Sequence, residues 1–202
     1  MIRAHESDLG SPENTINLAT EFWSRPRTLD SPRAIFLDRD GVLTRERRDY
    51  VRTAEQLEVL PGVGHALSDL RKMGFQLVVV TNQSVIGRGL ASHEEMSRIH
   101  EKLLAELKRE GVSVDGIYYC PHLPGEGCSC RKPEPGLILR AAKDLGIDVL
   151  SSWMIGDKEI DIEAAKRAGC RGILVETNSG DLGRAVAHIR RIEENVGNDE
   201  VA

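Results

Sequence analysis

The sequence predicts a Rossmann-like α/β fold: a central parallel sheet with helices on both faces and no cap domain. Three observations predict it. Five short runs are continuously apolar and rich in branched residues, as strands covered on both faces must be. Segments of helical period lie between them, and alternating β and α elements imply parallel strands joined by right-handed crossovers. Residues able to do chemistry follow one strand after another at the carboxyl end, where open α/β sheets bind ligands.

The elements can be read in order. Residues 1–33 are polar, contain three prolines and end in Ser31-Pro32-Arg33. They read as an N-terminal arm, partly disordered, with one short helix around Glu13 to Trp23. The domain proper is expected over 34–196, with 197–202 as a tail. Strands are expected at 34–37, 76–80, 116–119, 153–155 and 172–175. Between the first two, Val63, Ala66, Leu67, Leu70 and Met73 recur at three- and four-residue steps, and Gly74 stops that helix. Ser92 and Glu95 form a capping box ahead of Met96, Ile99, Leu103 and Leu107. Pro135 suits a helix first turn and Gly146 its end. Residues 159–168 form a further helix closed by Gly169, and Leu182, Ala185, Val186, Ile189 and Val196 outline a last one.

A chain of 202 residues with 40% apolar content supports one domain with a substantial core. Its net charge of −5 disfavours nucleic acid as a partner, since phosphate backbones are held by basic surfaces. No apolar run is long enough to span a membrane and no charged-then-apolar leader is present, so a cytoplasmic location is expected. No insertion is long enough for a separate domain, which leaves the site open, roofed by loops, and points to a monomer.

The first strand ends in Asp38-Arg39-Asp40-Gly41. Alternate residues of an extended segment point the same way, so Asp38 and Asp40 would share one hole. A divalent cation relieves their repulsion best. The pattern suggests a carboxylate nucleophile, a second carboxyl as general acid and base, and Mg²⁺. After the second strand comes Thr81-Asn82-Gln83-Ser84, where a hydroxyl and backbone N–H groups can bind phosphate oxygens. Arg131 and Lys132 stand just before the helix that starts near Pro135, and two cations at a helix N-terminus make an anion site. Asp157 follows the fourth strand directly, with Asp161 one helical turn later, and an acid there can complete an oxygen-ligand set for Mg²⁺.

Cys120, His122, Cys128 and Cys130 have the spacing C-x-H-x5-C-x-C. Three thiolates and an imidazole make a closed tetrahedral set, which favours structural Zn²⁺ over catalytic zinc. The loop between them, with Pro124, Gly125, Glu126 and Gly127, has no core-forming residue and needs a staple. It runs directly into Arg131 and Lys132. Cys170 stands apart and reads as a small core residue.

Acid pair, threonine, lysine, acid pair, in that order, resembles the four-motif pattern of the haloacid dehalogenase superfamily of phosphohydrolases. With the zinc loop, the likeness narrows to its histidinol-phosphatase-like subgroup and covers about residues 34–177. The resemblance implies that fold, with a zinc-stapled loop. It implies that Asp38 attacks phosphorus, that Asp40 serves as acid and then base, and that Thr81 and Lys132 hold the phosphoryl group. Mg²⁺ would sit on Asp38, the Asp40 carbonyl and Asp157, with Asp161 behind them. Asn82, Tyr50, Arg131 and Lys158 would meet the substrate, Lys158 through a second anionic group. The resemblance implies a small phosphorylated sugar as that substrate, a heptose 1,7-bisphosphate that would lose its C7 phosphate; the alternative is histidinol phosphate or another small phosphate ester. All the residues such catalysis needs are present, which argues against a silent zinc-binding module. Two segments depart from the pattern. Val85 replaces the usual glycine, and residues 46–50 match only at Tyr50 and carry an extra residue.

Overall fold

The structure, a computed structural model, describes residues 31–199. The expected helix around 13–23 lies outside them, as does most of the N-terminal arm. The strands are β1 (Ala34–Leu37), β2 (Gln76–Asn82), β3 (Gly116–Cys120), β4 (Trp153–Gly156) and β5 (Arg171–Leu174). The helices are α1 (Val63–Lys72), α2 (His93–Arg109), α3 (Gly136–Leu145), α4 (Glu159–Ala168) and α5 (Leu182–Asp199). Single 3-10 turns occur at Ala54–Gln56 and Val149–Ser151.

All neighbouring strands pair in parallel, in the order β3-β2-β1-β4-β5. The chain steps outward from β1 through β2 to β3, then returns to lay β4 on the other side of β1. That reversal opens a crevice above the carboxyl ends of β1 and β4. The period-2 alternation of β1 divides the core in two. Ile35 and Leu37 face α1, α2 and α5, while Phe36 faces α3 and α4. Helices therefore cover both faces, which is why β1, β2, β3 and β4 carry apolar residues at successive positions. Truncating a fully buried contact such as Leu67 to alanine would cost about 2–5 kcal/mol.

Two local expectations are corrected. Ser92 caps α2, its Oγ accepting from Glu95 N at 3.0 Å. The Glu95 carboxylate does not complete the box; it accepts from Ala54 N at 3.3 Å and Arg98 Nη1 at 3.2 Å, tying the first 3-10 turn to α2. Strand β5 is not covered on both faces: it is an edge strand, and Leu174 is 50% exposed. No helix among the described residues is long and apolar enough to cross a membrane.

Candidate active site

The candidate side chains gather at the carboxyl end of the sheet, from strand ends, loops and a helix first turn. Asp38 follows β1, and its N–H donates to Ile155 O of β4 at 3.0 Å, which fixes the backbone at the crevice. Lys132 arrives from the loop before α3 and is only 3% exposed. Its Nζ donates to Asp38 Oδ1 at 2.8 Å and to Val80 O at 2.9 Å. Asp161, in the first turn of α4, brings Oδ1 to 2.6 Å from the same Nζ as an ion partner. Its Oδ2 accepts from Lys158 N at 3.0 Å, which caps the helix. One buried cation thus serves two buried carboxylates.

Asp157 follows β4 and lies half-buried. Thr177 Oγ1 donates to its Oδ2 at 2.8 Å, while its Oδ1 is buried with no hydrogen-bond partner among the described residues. Oxygens of Asp38, Asp157 and Asp161 lie within 4.8 Å of one another. Gly41 makes the close approach possible. At φ +94° its added Cβ would stand 2.3 Å from Asp157 Oδ2. Clustered carboxylates with an orphaned buried oxygen suit a hard divalent cation.

The electrostatics follow from this crowding. Burial pushes the Asp38 carboxyl up to about 6 against the pull of Lys132, with Asp161 and Asp40 pushing the same way. Burial also raises Asp157. For Lys132 burial works against the charge, but Asp38 and Asp161 hold the ammonium above the ordinary lysine value.

Asp40 behaves differently. Burial is opposed and overcome by the Arg39 guanidinium, by Gln83 and by Thr44, so its carboxyl lies below the usual range. Thr44 Oγ1 donates to Asp40 Oδ1 at 3.1 Å, and Gln83 Nε2 to Oδ2 at 2.8 Å. Sequence reasoning missed both Arg39, which is fully buried, and Gln83, whose Nε2 also reaches Thr81 Oγ1 at 3.0 Å.

A cavity of about 720 Å³ opens over these groups, lined by Asp38, Asp40, Tyr50, Thr81, Asn82, Arg131, Lys132, Lys158 and Asp161. Asn82 has both ends of its amide committed. Its Nδ2 donates to Lys132 O and its Oδ1 accepts from Lys132 N, each at 3.0 Å, so it positions the lysine loop. Tyr50 sits at φ +65°, a strained value for a residue with a Cβ, with Arg88 5.6 Å above its ring. Lys158 is ion-paired with Glu46 on the 46–50 loop. Asn178 Oδ1 accepts from Glu46 N at 2.6 Å, pinning that loop to the segment after β5. Val85 is fully buried in the core beside the Thr81 loop.

The cysteine loop forms a second donor set. Cys120 Sγ lies 3.4 Å from His122 Nδ1 and 3.7 Å from Cys128 Sγ, and Cys130 Sγ lies 3.3 Å from the same Nδ1. Tetrahedral edges about a cation at zinc–nitrogen and zinc–sulfur distances are about 3.5–3.8 Å long, close to these three contacts, and all four donors lie within 4.8 Å of one another, a set compact enough for that ion. Mutual contact with Cys130 raises the Cys120 thiol, and burial raises Cys128. A +2 ion would reverse this and favour thiolates. Arg131 Nη1 donates to His122 O at 3.0 Å, linking the loop to the cavity wall.

Comparison with known proteins agrees with this picture. Residues 129–196, about a third of the chain, match the HAD-hydrolase-like family model. The D-glycero-beta-D-manno-heptose-1,7-bisphosphate 7-phosphatase of Photorhabdus laumondii is 44% identical over 142 residues, covering 67% of this chain and 75% of that protein. The Escherichia coli phosphatase of the same name is 44% identical, covering 67% and 74%. The crystal structure of D,D-heptose 1,7-bisphosphate phosphatase from B. bronchiseptica, complexed with magnesium and phosphate, superposes with a TM-score of 0.69 at 37% identity, covering 74% of this chain and 83% of that one. The chain belongs to the family of these phosphatases and is a phosphomonoester hydrolase.

Proposed function

We propose that the chain hydrolyses the C7 phosphate of D-glycero-β-D-manno-heptose 1,7-bisphosphate through an aspartyl-phosphate, in the formation of nucleotide-activated heptose. The observation that carries the chemistry is the buried Lys132 held between Asp38 and Asp161 at the floor of an open cavity. Phosphoryl transfer depends mainly on positioning and charge neutralisation, and a carboxylate nucleophile divides hydrolysis into two easier steps.

An Asp38 carboxylate oxygen attacks phosphorus as the bond to the C7 oxygen breaks, and Asp40 gives its proton to that oxygen. Water then attacks the acyl phosphate, Asp40 takes its proton, and the bond between phosphorus and Asp38 breaks to release phosphate. Thr81 and Lys132 hold the transferring group. Asp38, the Asp40 carbonyl and Asp157 would hold Mg²⁺, which when bound neutralises phosphoryl charge. Zn²⁺ on Cys120, His122, Cys128 and Cys130 would fix the loop that carries Arg131 and Lys132.

The substrate reading rests on the wall as well as the floor. Arg47, Arg48, Arg88, Arg131 and Lys158 line the same cavity, although the chain as a whole carries −5. Such a wall suits a substrate with a second phosphate. It opposes histidinol phosphate, whose far end carries an amine. Tyr50 completes the substrate side, and Asn82 acts on it through the Lys132 backbone that it holds. Phosphorus NMR of the bisphosphate during turnover tests the proposal: the C7 resonance should vanish while the C1 resonance persists. Loss of the C1 signal first would overturn it.

A further inference from the structure

Arg39 lies between the two catalytic acids, yet its side chain is wholly buried and points away from substrate, toward α2. A guanidinium has five N–H donors. Nε faces Asp40, at 3.2 Å from each carboxylate oxygen. Nη2 reaches Asp40 Oδ2 at 2.8 Å and Gln83 Oε1 at 2.9 Å. Nη1 reaches Met96 Sδ at 3.2 Å and His100 Nε2 at 3.3 Å. Every donor therefore has an acceptor, which fixes the guanidinium. A cation cannot donate to a protonated ring nitrogen, so His100 is neutral with its proton on Nδ1, a buried atom with no hydrogen-bond partner among the described residues. Leaving that N–H unpaired costs stability, so the fold bears a penalty to present Nε2 to Arg39.

The other end of the brace meets the chemistry. Gln83 accepts from Arg39 and donates from Nε2 to both Asp40 and Thr81. Both Asp40 oxygens thus receive donors, a surrounding that favours the carboxylate over the protonated acid. Resting on the aspartyl-phosphate reading above, Asp40 is in that form once it has protonated the leaving group, and the next step needs it as a base. We propose that Arg39, backed by His100 and Gln83, is a positioning residue for the second half-reaction, holding the Asp40 carboxylate where it takes the proton of the attacking water.

Lysine would keep the charge but lose the fork. The test uses 4-nitrophenyl phosphate and the magnesium-loaded enzyme, because nitrophenolate leaves without a proton and its first turnover does not need Asp40 as an acid. In Arg39→Lys the first-turnover burst should stay near wild type while steady-state release falls by about tenfold or more, raising the ratio of the two phases and the fraction of enzyme carrying a trappable phosphoryl group. His100→Leu should change the ratio in the same direction by about threefold, and it carries the test if Arg39→Lys does not fold. Equal losses in both phases, or no loss in either variant, would overturn the proposal. A wild type with no turnover of any phosphate ester would instead remove the phosphatase reading beneath it.

Discussion

The chain carries two donor sets within one loop of each other, and they are opposites. Asp38, Asp157 and Asp161 are hard oxygen donors beside a cavity, with a lysine among them and one oxygen unpartnered. Cys120, His122, Cys128 and Cys130 are soft donors packed edge to edge. The first set leaves room for a substrate oxygen and the second leaves none. Openness, more than affinity, separates a centre that can take part in a reaction from one that only holds a loop. Arg131 and Lys132 connect the two, since the cysteine loop runs directly into them.

The comparison can be broken most directly at the open set. Asp38→Asn keeps the shape of the side chain and should lower phosphate release by about 10⁴-fold or more, with the fold intact by circular dichroism. Turnover within about tenfold of wild type would remove Asp38 as the nucleophile.

Lys132→Met addresses the cation that both carboxylates share. Turnover should fall by about 1,000-fold, and the metal-free protein should lose about 3–5 kcal/mol in urea unfolding, because two buried carboxylates are left facing each other. Unchanged stability would mean that the carboxylates relax onto water.

At the closed set, Cys128→Ser should abolish stoichiometric zinc in metal analysis. It should forfeit about 4 kcal/mol of stability at free zinc about 1,000-fold above Kd, since a ligand bound only by the folded state stabilises by mass action. Turnover should fall less than in Lys132→Met. A variant that loses zinc but neither stability nor turnover would make the cluster ornamental.

The smallest effect concerns His100. Burial, and then Arg39, push its pKa down to about 3 from an ordinary 6.5. Below pH 6.5 the unfolded chain binds a proton that the folded chain refuses, so stability falls with falling pH until about pH 3. The slope contributed approaches about 1.4 kcal/mol per pH unit. His100→Leu should flatten the loss of stability between pH 6 and about 4, read from unfolding midpoints. An unchanged slope would show that the ring is already wet.

Much of the architecture was legible because it follows from periodicity and punctuation. Continuous apolar runs marked β1 to β4, and Gly146 and Gly169 marked helix ends, where both adopt the left-handed conformation. Strand β5 misled because Gly-Ile-Leu-Val reads as buried, and nothing in four residues tells an edge from a centre. In the site, the strand-end acids, Thr81 and the Arg131-Lys132 pair were visible because their chemistry is local to a turn. Arg39 was not. An arginine between two aspartates reads as solvated, and only the approach of Met96 and His100, about sixty residues away, buries it. Glu46 escaped for the same reason: its partner Lys158 is 112 residues away.

The most direct measurement is phosphate release in Mg²⁺ from both anomers of D-glycero-D-manno-heptose 1,7-bisphosphate, compared with histidinol phosphate and fructose 1,6-bisphosphate. The kcat/KM for the β-heptose bisphosphate should exceed the others by about 100-fold or more. Higher turnover of histidinol phosphate would contradict it, showing that the cations of the cavity wall do not select a second phosphate.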